Sequence, residues 1–555
     1  MRKPISRLSL DTRFTGFLAA AILIAGSSFA AGQSLPSSVP ELPVLTQTGP
    51  WPVISQMAVF RDRLWFTNSV KGVDHNSAEI YSYNPATQET RYERHLWSQD
   101  AGTPFVTNGL LYWPSEDPRL SPGWGDFQVT NGEDWATGQI TTARMFHVFA
   151  MAELKGKLVA ATSGWRAGLQ VSSDQGRTWR QAYDHPTPDR RVSRIVDLVE
   201  VGGVLVGHLR GPEGRKMVRY DGTRVSDLPD WPRDLPMSEV VRHGNEVYGI
   251  IRREDGAAVW RSNGARSEAV TETRPGWRPF DLASDGSRLW AISDSASGGQ
   301  LWRSENGTDW TLAGNLADGE PFDVIASADW VYIGGAGADG QGILWGFQHG
   351  TSRSGGSEIT PLPELKPKPK MRITDWTAQA QALDEALRDP QSYAAFGRPI
   401  RNLAYDAATS SPPKDFFNRL LETPRPAGRM NPFRDVVVEP AGDIGASITL
   451  WAMAVSGQGR VPPDMIAAPW TKAENGAAKY FDPQQAAMWA AAELAQKDAE
   501  TIDALISRLV QPNDPLWLKG DAIGALSILT GQRFGFNLQN WQSWWRQARP
   551  DWQKS

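Results

Sequence analysis

EVYGIIRREDGAAVWRSN, residues 246–263, is one copy of a phrase that recurs through the first two thirds of this chain. In each copy an aromatic residue or Val follows a turn, here Tyr248, and a second apolar run follows it, here from Val259. The seven anchors are Trp65, Tyr112, Val159, Val206, Tyr248, Trp290 and Tyr332, at spacings of 47, 47, 47, 42, 42 and 42 residues. The repeat therefore divides residues 52–349 into seven similar units.

Each unit combines short apolar runs with Gly-rich turns. Repeats of about 40 to 50 residues with this content are typical of a β-propeller, in which one copy forms one four-stranded sheet. We predict a seven-bladed β-propeller over residues 51–363. Two segments compete for the strand that closes the ring, Pro43 to Thr48 and Ile359 to Leu362, and either would cover an exposed sheet edge.

A helical period follows the repeats. Residues 364–373 alternate Lys and Pro, which favours an extended linker. In residues 374–555 apolar residues recur at helical spacing, Asp482-Pro483 offers a helix start, and Gly531 offers a helix stop. The sequence therefore predicts a multidomain β plus α protein, a propeller followed by a small α-helical domain.

The helices from Pro483 to Trp545 resemble HEAT-type helical repeats. AAMWAAAELAQ pairs with TIDALISRLV, and the next helix begins in WLKGDAIGALSILTG. The resemblance implies stacked helix pairs with broad surfaces. A plain α-helical bundle is the alternative interpretation of the same Ala and Leu periodicity.

The N-terminus has the form of an export signal. Four basic residues, Arg2, Lys3, Arg7 and Arg13, accompany an apolar run from Phe14 to Gly26, and Ser28-Phe29-Ala30 offers small residues for cleavage. We predict a signal peptide over residues 1–30 and a flexible segment over 31–50. The mature chain is then exported, periplasmic or extracellular, with no transmembrane segment.

Composition limits the partners. A net charge of -5 gives no reason to expect nucleic acid. The chain has no Cys, which excludes disulfides and thiolate metal sites. We expect no cofactor, no bound metal and no catalytic residue, and the sequence leaves the oligomeric state open.

Ser172-Ser173-Asp174-Gln175-Gly176-Arg177-Thr178-Trp179 resembles the Asp-box, or BNR repeat, of the sialidase-like propellers. Relaxed copies occur at Asn131-Gly132-Glu133-Asp134-Trp135 and Asn306-Gly307-Thr308-Asp309-Trp310. The resemblance implies structural turns between the two outer strands of a blade. The residues predicted to build them are Ser172, Asp174, Gly176, Trp179, Asn131, Gly132, Trp135, Asn306, Gly307 and Trp310.

The connections between the second and third strands, and between successive blades, open on one face of a propeller of this type. Arg and Trp, the residue types enriched at binding hot spots, are frequent there. The predicted binding residues of this face are Arg119, Trp165, Arg166, Arg191, Arg210, Arg253, Trp277 and Arg278.

Three functions are consistent with these features. The first is an exported, non-catalytic binding or scaffold protein that uses the propeller loops and a helical repeat surface. The second is a glycan-acting hydrolase of the sialidase-like superfamily, and the third is an envelope-complex assembly factor. The expected partner is a protein or a glycan of the cell envelope.

Overall fold

The computed structural model describes residues 39–70, 77–116, 124–142, 147–164, 166–186, 192–272, 274–295, 298–351, 359–366, 372–425, 429–431, 436–470 and 482–552. The predicted signal peptide lies outside these ranges. Within them, the strands between Val44 and Gln348 form seven antiparallel sheets, and nine α-helices follow. The predicted fold class, a seven-bladed β-propeller followed by helices, is therefore confirmed.

Each repeat forms one sheet, called blade 1 to blade 7 in chain order. All seven anchors lie on the second strand of their blade and are buried, because bulky side chains fill the space between neighbouring sheets. Blade 1 consists of Val53–Phe60, Arg63–Ser69, Ala78–Asn84 and Glu89–Leu96, and blade 2 consists of Phe105–Thr107, Leu110–Pro114, Gly125–Thr130 and Trp135–Ile140. Blade 3 consists of His147–Leu154, Lys157–Ser163, Ala167–Ser172 and Arg180–Asp184. Blade 4 consists of Arg194–Ile195 with Val199–Val201 as its first strand, followed by Val204–Gly211, Gly214–Tyr220 and Val225–Asp227.

Blades 5 to 7 follow the same order, and blade 5 has an additional short strand, Arg274–Pro275, against its third strand. Blade 5 consists of Val241–His243, Glu246–Arg252, Gly256–Ser262 and Ser267–Ala269, and blade 6 consists of Pro279–Ser284, Leu289–Ser295, Gly298–Ser304 and Thr311–Asn315. Blade 7 begins with Gly319–Ala326, Trp330–Gly337 and Gly342–Gln348.

The fourth strand of blade 7 comes from the N-terminal side of the chain. Val44–Thr48 pairs antiparallel with Gly342–Gln348, with Thr48 opposite Gly342. The predicted N-terminal segment 31–50 thus contains a propeller strand. Ile359, the start of the competing segment, is 44% exposed and lies in no strand.

Residues 359–366 run along the outside of blades 2 and 3. Asn131 Nδ2 donates to the carbonyl oxygen of Thr360 at 3.0 Å, and Arg177 Nη1 lies 3.0 Å from Glu364 Oε2. Leu365 is buried against the core of these two blades. This part of the chain leads from blade 7 to the helices on the side of blades 1 and 2.

The helices form two layers. The nine helices are α1 Trp376–Arg388, α2 Ala394–Thr409, α3 Phe416–Leu421, α4 Ala441–Ser456, α5 Pro463–Ala467, α6 Pro483–Glu493, α7 Ala499–Val510, α8 Leu516–Thr530 and α9 Leu538–Trp552. Helices α2, α4, α6 and α8 contact one another in succession and form the inner layer, while α5, α7 and α9 form the outer layer. Two short strands, Arg429–Asn431 and Val436–Pro440, precede α4.

Several helix ends are formed by capping residues in the local sequence. Asp482 caps α6 by accepting from Gln484 N, and Gly531 ends α8 in the left-handed conformation, with φ 73°. Pro515 is the N-cap of α8, whereas Asp514 lies 3.0 Å from Arg508 Nη2. Asp514 therefore does not cap α8, because the buried guanidinium of Arg508 attracts its carboxylate.

The inner layer packs on blades 1 and 2. Helix α8 contacts the outermost strand of blade 1, and Trp451 of α4 donates its indole N–H to Gln139 Oε1 of blade 2 at 3.2 Å. The ring of Trp124, in the loop of blade 2, lies 5.5 Å from Tyr405 and 4.6 Å from Trp451. The propeller therefore covers the inner helix layer, and the two domains share one hydrophobic core.

Candidate functional site

The loop face is the end of the propeller that carries the connections between second and third strands and between successive blades. The antiparallel order of every blade places both sets of connections at this end. Arg166, Arg210, Arg253 and Arg278 are exposed there. Arg119, Trp165 and Arg191 lie outside the described residues.

Trp277 does not belong to the exposed part of this face. It is 5% exposed, and its ring packs 5.3 Å from that of Trp310 and 6.4 Å from that of Trp302. The expectation that Trp277 offers its ring to a ligand is corrected, because the space between blades 5 and 6 requires the bulk of the indole. Trp345 is likewise fully buried in blade 7.

Three arginines stand side by side across blade 4 at the loop face. Arg194 lies directly opposite Arg210, and Arg210 lies directly opposite Arg215. Residues directly opposite on antiparallel strands point to the same side of the sheet, with Cβ atoms about 5 Å apart. We call this set the arginine row.

The environment of His208 reflects the charge of the arginine row. Arg210 Nε donates to His208 Nδ1 at 3.3 Å, so His208 is neutral and carries its proton on Nε2. Burial lowers the pKa of His208 to about 3, and Arg210 and Arg215 contribute to the decrease. The two guanidinium groups thus disfavour a charged imidazole at His208, while the buried carboxylate of Asp197 also faces Arg210.

Four carboxylates occupy equivalent positions on or beside the innermost strands of blades 4 to 7. They are Asp197, Glu239, Asp281 and Asp323, each 42 residues after the previous one. Three of them accept a backbone N–H from the next blade: Asp197 from Val240 at 3.3 Å, Asp281 from Val324 at 3.0 Å and Asp323 from Met57 at 3.2 Å. We call them the ring carboxylates.

The environment of Asp281 disfavours its charged form. Burial raises the pKa of Asp281 well above its ordinary value, and the negative charges of Asp323 and Glu239 add to the increase. Glu239 also reaches towards blade 2, with Oε2 3.4 Å from Thr103 Oγ1. No group of three or more His, Asp or Glu side chains within the described ranges is arranged to hold a metal ion.

The predicted Asp-box turns join third and fourth strands in blades 2, 3 and 6. Asp174 accepts from Thr178 N at 2.8 Å and from Thr178 Oγ1 at 2.7 Å, while Ser172 Oγ accepts from Gly176 N at 2.9 Å. Trp179 Nε1 donates to the Gly176 carbonyl oxygen at 2.8 Å. Gly176 has φ 96°, a conformation that favours glycine.

The two related turns repeat this geometry in part. Asn306 Oδ1 accepts from Thr308 N and Asp309 N, each at 2.9 Å, and Trp310 Nε1 donates to the Gly307 carbonyl oxygen at 2.9 Å. In blade 2, Asn131 Oδ1 accepts from Glu133 N and Asp134 N. Gly132 has φ 97°, and the ring of Trp135 packs 6.0 Å from that of Trp65. In all three turns the polar groups are used to hold the backbone.

A buried chain of polar groups joins the propeller to the helices. His95 Nδ1 lies 3.0 Å from Glu79 Oε1 of blade 1, and His95 Nε2 lies 2.8 Å from Asp521 Oδ1 of α8. All three side chains are at most 1% exposed. Burial alone would lower the pKa of His95, but the contacts with the two carboxylates outweigh burial and raise it. We call Glu79, His95 and Asp521 the junction triad.

A shallow cavity, open to solvent, lies beside the junction triad, between blades 7 and 1 and the connection from α8 to α9. Its volume is about 840 Å³, and Tyr81, Tyr92, Arg533 and Phe536 are among its lining residues. Tyr92 donates its hydroxyl to Glu79 Oε2 at 3.1 Å, and Arg533 Nη1 lies 2.6 Å from Glu93 Oε2. The cavity exists only because the domains are docked.

Sequence reasoning missed the ring carboxylates, although their signal is present. Asp197, Glu239, Asp281 and Asp323 each precede the anchor of their repeat by nine residues, so alignment of the repeats on the anchors reveals them. Arg210 and Arg252 are also 42 residues apart. No such signal exists for His95, because its partner Asp521 belongs to the other domain.

Comparison with known proteins finds similar solved structures and no matching sequence family. Neither a family model nor a curated protein sequence matches this chain. The structure is similar to the β-propeller domain of the Trilobed protease from Pyrococcus furiosus, at 8% identity and TM-score 0.39, over 54% of this chain and 98% of that chain. YCF48 from Cyanidioschyzon merolae is similar at 12% identity and TM-score 0.38, over 54% and 98%.

A third similar structure is the calcium-binding protein regucalcin from Agrobacterium tumefaciens, at 12% identity and TM-score 0.33, over 54% of this chain and 92% of that one. These likenesses concern the propeller and carry no functional argument. The chain is a seven-bladed β-propeller followed by an α-helical domain. In the part of the chain that is described, no helix has the length and hydropathy needed to cross a membrane.

Proposed function

We propose that this chain is a non-catalytic binding protein whose loop face holds an acidic segment of a partner protein. The observation that carries the proposal is the arginine row of Arg194, Arg210 and Arg215 on blade 4. Like charges directly opposite one another destabilise a sheet. Three guanidinium groups on one side of blade 4 nevertheless offer a cationic surface, and guanidinium groups bind carboxylates with two parallel hydrogen bonds.

The neighbouring groups support a protein partner more than a sugar. The guanidinium of Arg194 lies 5.2 Å from the centre of the Phe149 ring, which is itself buried. Trp231 and Trp277, the tryptophans of the adjacent connections, are also buried. An acidic peptide needs only the guanidinium groups, whereas a sugar ring is best held by an exposed aromatic face.

The use of the other polar groups supports a non-catalytic role. Three ring carboxylates accept backbone N–H groups of the next blade, and the Asp-box turns hold their own backbone. Backbone N–H donors stabilise a carboxylate in place and leave fewer lone pairs for a substrate. The outer helix layer is the second surface of the proposed scaffold, because the propeller covers the inner one.

Cross-linking of the mature chain in an envelope extract, with mass spectrometry of the products, tests the proposal. We expect a partner protein cross-linked to loops of blades 3 to 6, and its loss in the triple variant Arg194→Gln, Arg210→Gln, Arg215→Gln. The matched control Arg224→Gln, Arg242→Gln, Arg303→Gln removes the same charge near the opposite end of the propeller. Equal cross-linking by both triple variants would contradict the proposal.

A glycan-acting hydrolase is the second candidate, and Asp281 is the observation that favours it. Burial and the neighbouring carboxylates raise the pKa of Asp281, and a carboxyl group with a raised pKa is the kind that acts as a general acid in glycosidases. Asp323 or Glu239 would then be the second carboxylate. Turnover of aryl glycosides or sialosides that disappears in Asp281→Asn would support this function, and no turnover above the blank would exclude it.

Three further properties of the protein are predicted from the sequence, and we propose them together with the function. The signal peptide of residues 1–30 supports export to the periplasm or the cell exterior. The geometry around Asp174 supports membership of the Asp-box propellers, and the two helix layers support HEAT-like repeats. Edman sequencing of the secreted chain, with an N-terminus at Ala31, tests the predicted cleavage.

A further inference from the structure

A group of arginines lies at the outer edge of blade 1, where the connection from α8 to α9 meets the propeller. Arg63 begins the second strand of the blade, Arg91 lies in its fourth strand, and Arg533 belongs to the connection. We call these three residues the blade 1 arginines. We propose that they bind the phosphate group of a ligand, independently of the loop-face site proposed above.

Two of the blade 1 arginines converge on the carboxylate of Glu93. Arg91 Nε donates to Glu93 Oε1 at 2.7 Å, and Arg91 Nη2 donates to Oε2 at 3.0 Å. Arg533 Nη1 donates to the same Oε2 at 2.6 Å. The side chain of Glu93 is 1% exposed, whereas those of Arg91 and Arg533 are 37% and 36% exposed. The carboxylate therefore holds both guanidinium groups from within, and each of the two keeps further N–H donors and an accessible surface.

Arg63 joins this group through a serine. Arg63 Nε donates to Ser82 Oγ at 3.0 Å, and Ser82 Oγ donates to Glu93 Oε1 at 2.5 Å. Ser82 lies directly opposite Arg91, so the two side chains point to the same side of the sheet. Arg63 Nη2 is shielded from solvent and has no hydrogen-bond partner in the described part of the chain. An unmet donor of this kind is costly, and an incoming oxygen atom that accepts from it removes that cost.

Positive charge is in excess at this edge of the blade. Burial lowers the pKa of Arg63, and the charges of Arg91 and Arg533 lower it further, whereas Glu93 and the exposed Glu89 act in the opposite direction. Three guanidinium groups thus face two carboxylates. Guanidinium groups bind phosphate with paired hydrogen bonds, and the several oxygens of a phosphate group can contact more than one guanidinium at a time.

The position of the blade 1 arginines separates this site from the loop face. The turn between the first and second strands directly precedes Arg63, so the site lies at the end of the propeller opposite the loop face. Arg533 belongs to the helical domain, and a bound phosphate group would therefore contact both domains. A soluble phosphate ester and a phospholipid headgroup share the required chemistry.

Isothermal titration calorimetry of the mature full-length chain with inorganic phosphate and with glucose 6-phosphate tests the inference. Cosedimentation with phosphatidylglycerol vesicles distinguishes a lipid headgroup from a soluble source. We expect at least one of these three probes to bind. Arg63→Gln and Arg91→Gln should each weaken that binding roughly tenfold, the effect of one lost hydrogen bond between charged groups. Circular dichroism checks the folding of both variants, and the more exposed Arg91 carries the test if Arg63→Gln does not fold.

Lys157→Gln is the matched control, because exposed Lys157 begins the second strand of blade 3, the position that Arg63 has in blade 1. Absence of binding by all three probes, equal effects of Arg63→Gln and Lys157→Gln, or binding of a polyglutamate peptide in place of the phosphate probes would each overturn the inference. The triple variant of the arginine row should leave phosphate binding unchanged. Failure of the loop-face proposal is thereby distinguished from failure of this one.

Discussion

At the scale of single residues, His95 has the most demanding environment. Each of its ring nitrogens contacts a carboxylate, Glu79 on one side and Asp521 on the other. A neutral imidazole has one N–H and satisfies one of these acceptors, whereas an imidazolium satisfies both. Tyr92 and Ser77 donate to Glu79, and Gln485 donates to Asp521. The docked structure therefore favours protonated His95.

This environment predicts a pH-dependent stability. The pKa of His95 is higher in the folded chain than its ordinary value of about 6.5, so its contribution is complete below that pH and is lost as pH rises through the folded-state pKa. We expect His95→Gln to lower the free energy of unfolding by about 1 to 3 kcal/mol at mildly acidic pH and by less in alkaline solution. Urea unfolding at mildly acidic and at alkaline pH, monitored by tryptophan fluorescence, measures the two differences in free energy of unfolding.

The control for this prediction is His243→Gln, because the ring of His243 contacts the hydroxyl of Ser284 at 2.9 Å. A constant difference between wild type and His95→Gln over the whole pH range would contradict the proposed protonation.

Two glycines of α8 allow this close contact between the domains. A Cβ atom at Gly524 would lie 2.7 Å from His95 Cβ, and one at Gly520 would lie 2.7 Å from Ser77 Oγ. In an isolated helix, Gly to Ala stabilises by about 1 kcal/mol. Here we expect Gly524→Ala to destabilise the chain by about 1 to 3 kcal/mol, because the added methyl group forces the domains apart.

Thermal unfolding monitored by circular dichroism measures the effect of Gly524→Ala. Ser527→Ala, in the same helix, is the control and should change stability by less than about 0.5 kcal/mol. Stabilisation by Gly524→Ala would show that α8 does not approach the blade as described.

At the scale of elements, the blades contain turns in which side chains of the turn bind its own backbone. The Asp174 carboxylate accepts two hydrogen bonds from Thr178, and Ser172 donates to it at 2.8 Å. We expect Asp174→Ala to lower the free energy of unfolding by about 1 to 2 kcal/mol, since the backbone of the turn loses its acceptor. Chemical denaturation measures this, with exposed Ser173→Ala as the neutral control; an equal effect of both variants would argue against the structural role.

The closing strand is the element that completes the ring. Val44–Thr48 covers the third strand of blade 7, and without it that strand presents free backbone groups. We expect a mature chain that begins at Gly49 to aggregate more readily and to unfold at lower temperature. Light scattering during heating measures this. A chain that begins at Glu41 keeps the strand and serves as the control; identical behaviour of the two chains would contradict closure by Val44–Thr48.

At the scale of the whole molecule, the propeller and the helices share one core. Residues of blade 1, such as Phe66 and Tyr92, belong to the same buried cluster as Ile448 and Leu518 of the inner helix layer. A shared apolar core couples the stabilities of the domains. We expect one calorimetric unfolding transition for the wild type and two for Asp521→Ala, which removes the carboxylate of α8 that His95 Nε2 contacts.

The control for domain coupling is Asp503→Ala, which breaks the exposed ion pair with Arg549 in the outer layer and leaves the junction intact. Two separate transitions in the wild type would show that the domains unfold independently.

Much of the architecture could be predicted from the sequence because it is repeated or local. The seven anchors and the alternation of short apolar runs depend on contacts within a blade or between neighbouring blades, and such contacts recur with the repeat. The ring carboxylates were equally readable, since Asp281 and Asp323 follow the same 42-residue period. Helix ends such as Gly531 depend only on adjacent backbone.

The tertiary structure alone decided what joins distant parts of the chain. His95 and Asp521 are separated by 426 residues, and no period relates them. The choice of Val44–Thr48 as the closing strand, the burial of Trp277 and the covering of the inner helix layer all depend on which surfaces meet. Periodicity determines where a side chain points within its element, but the contact between elements is set by packing and burial, which no local pattern records.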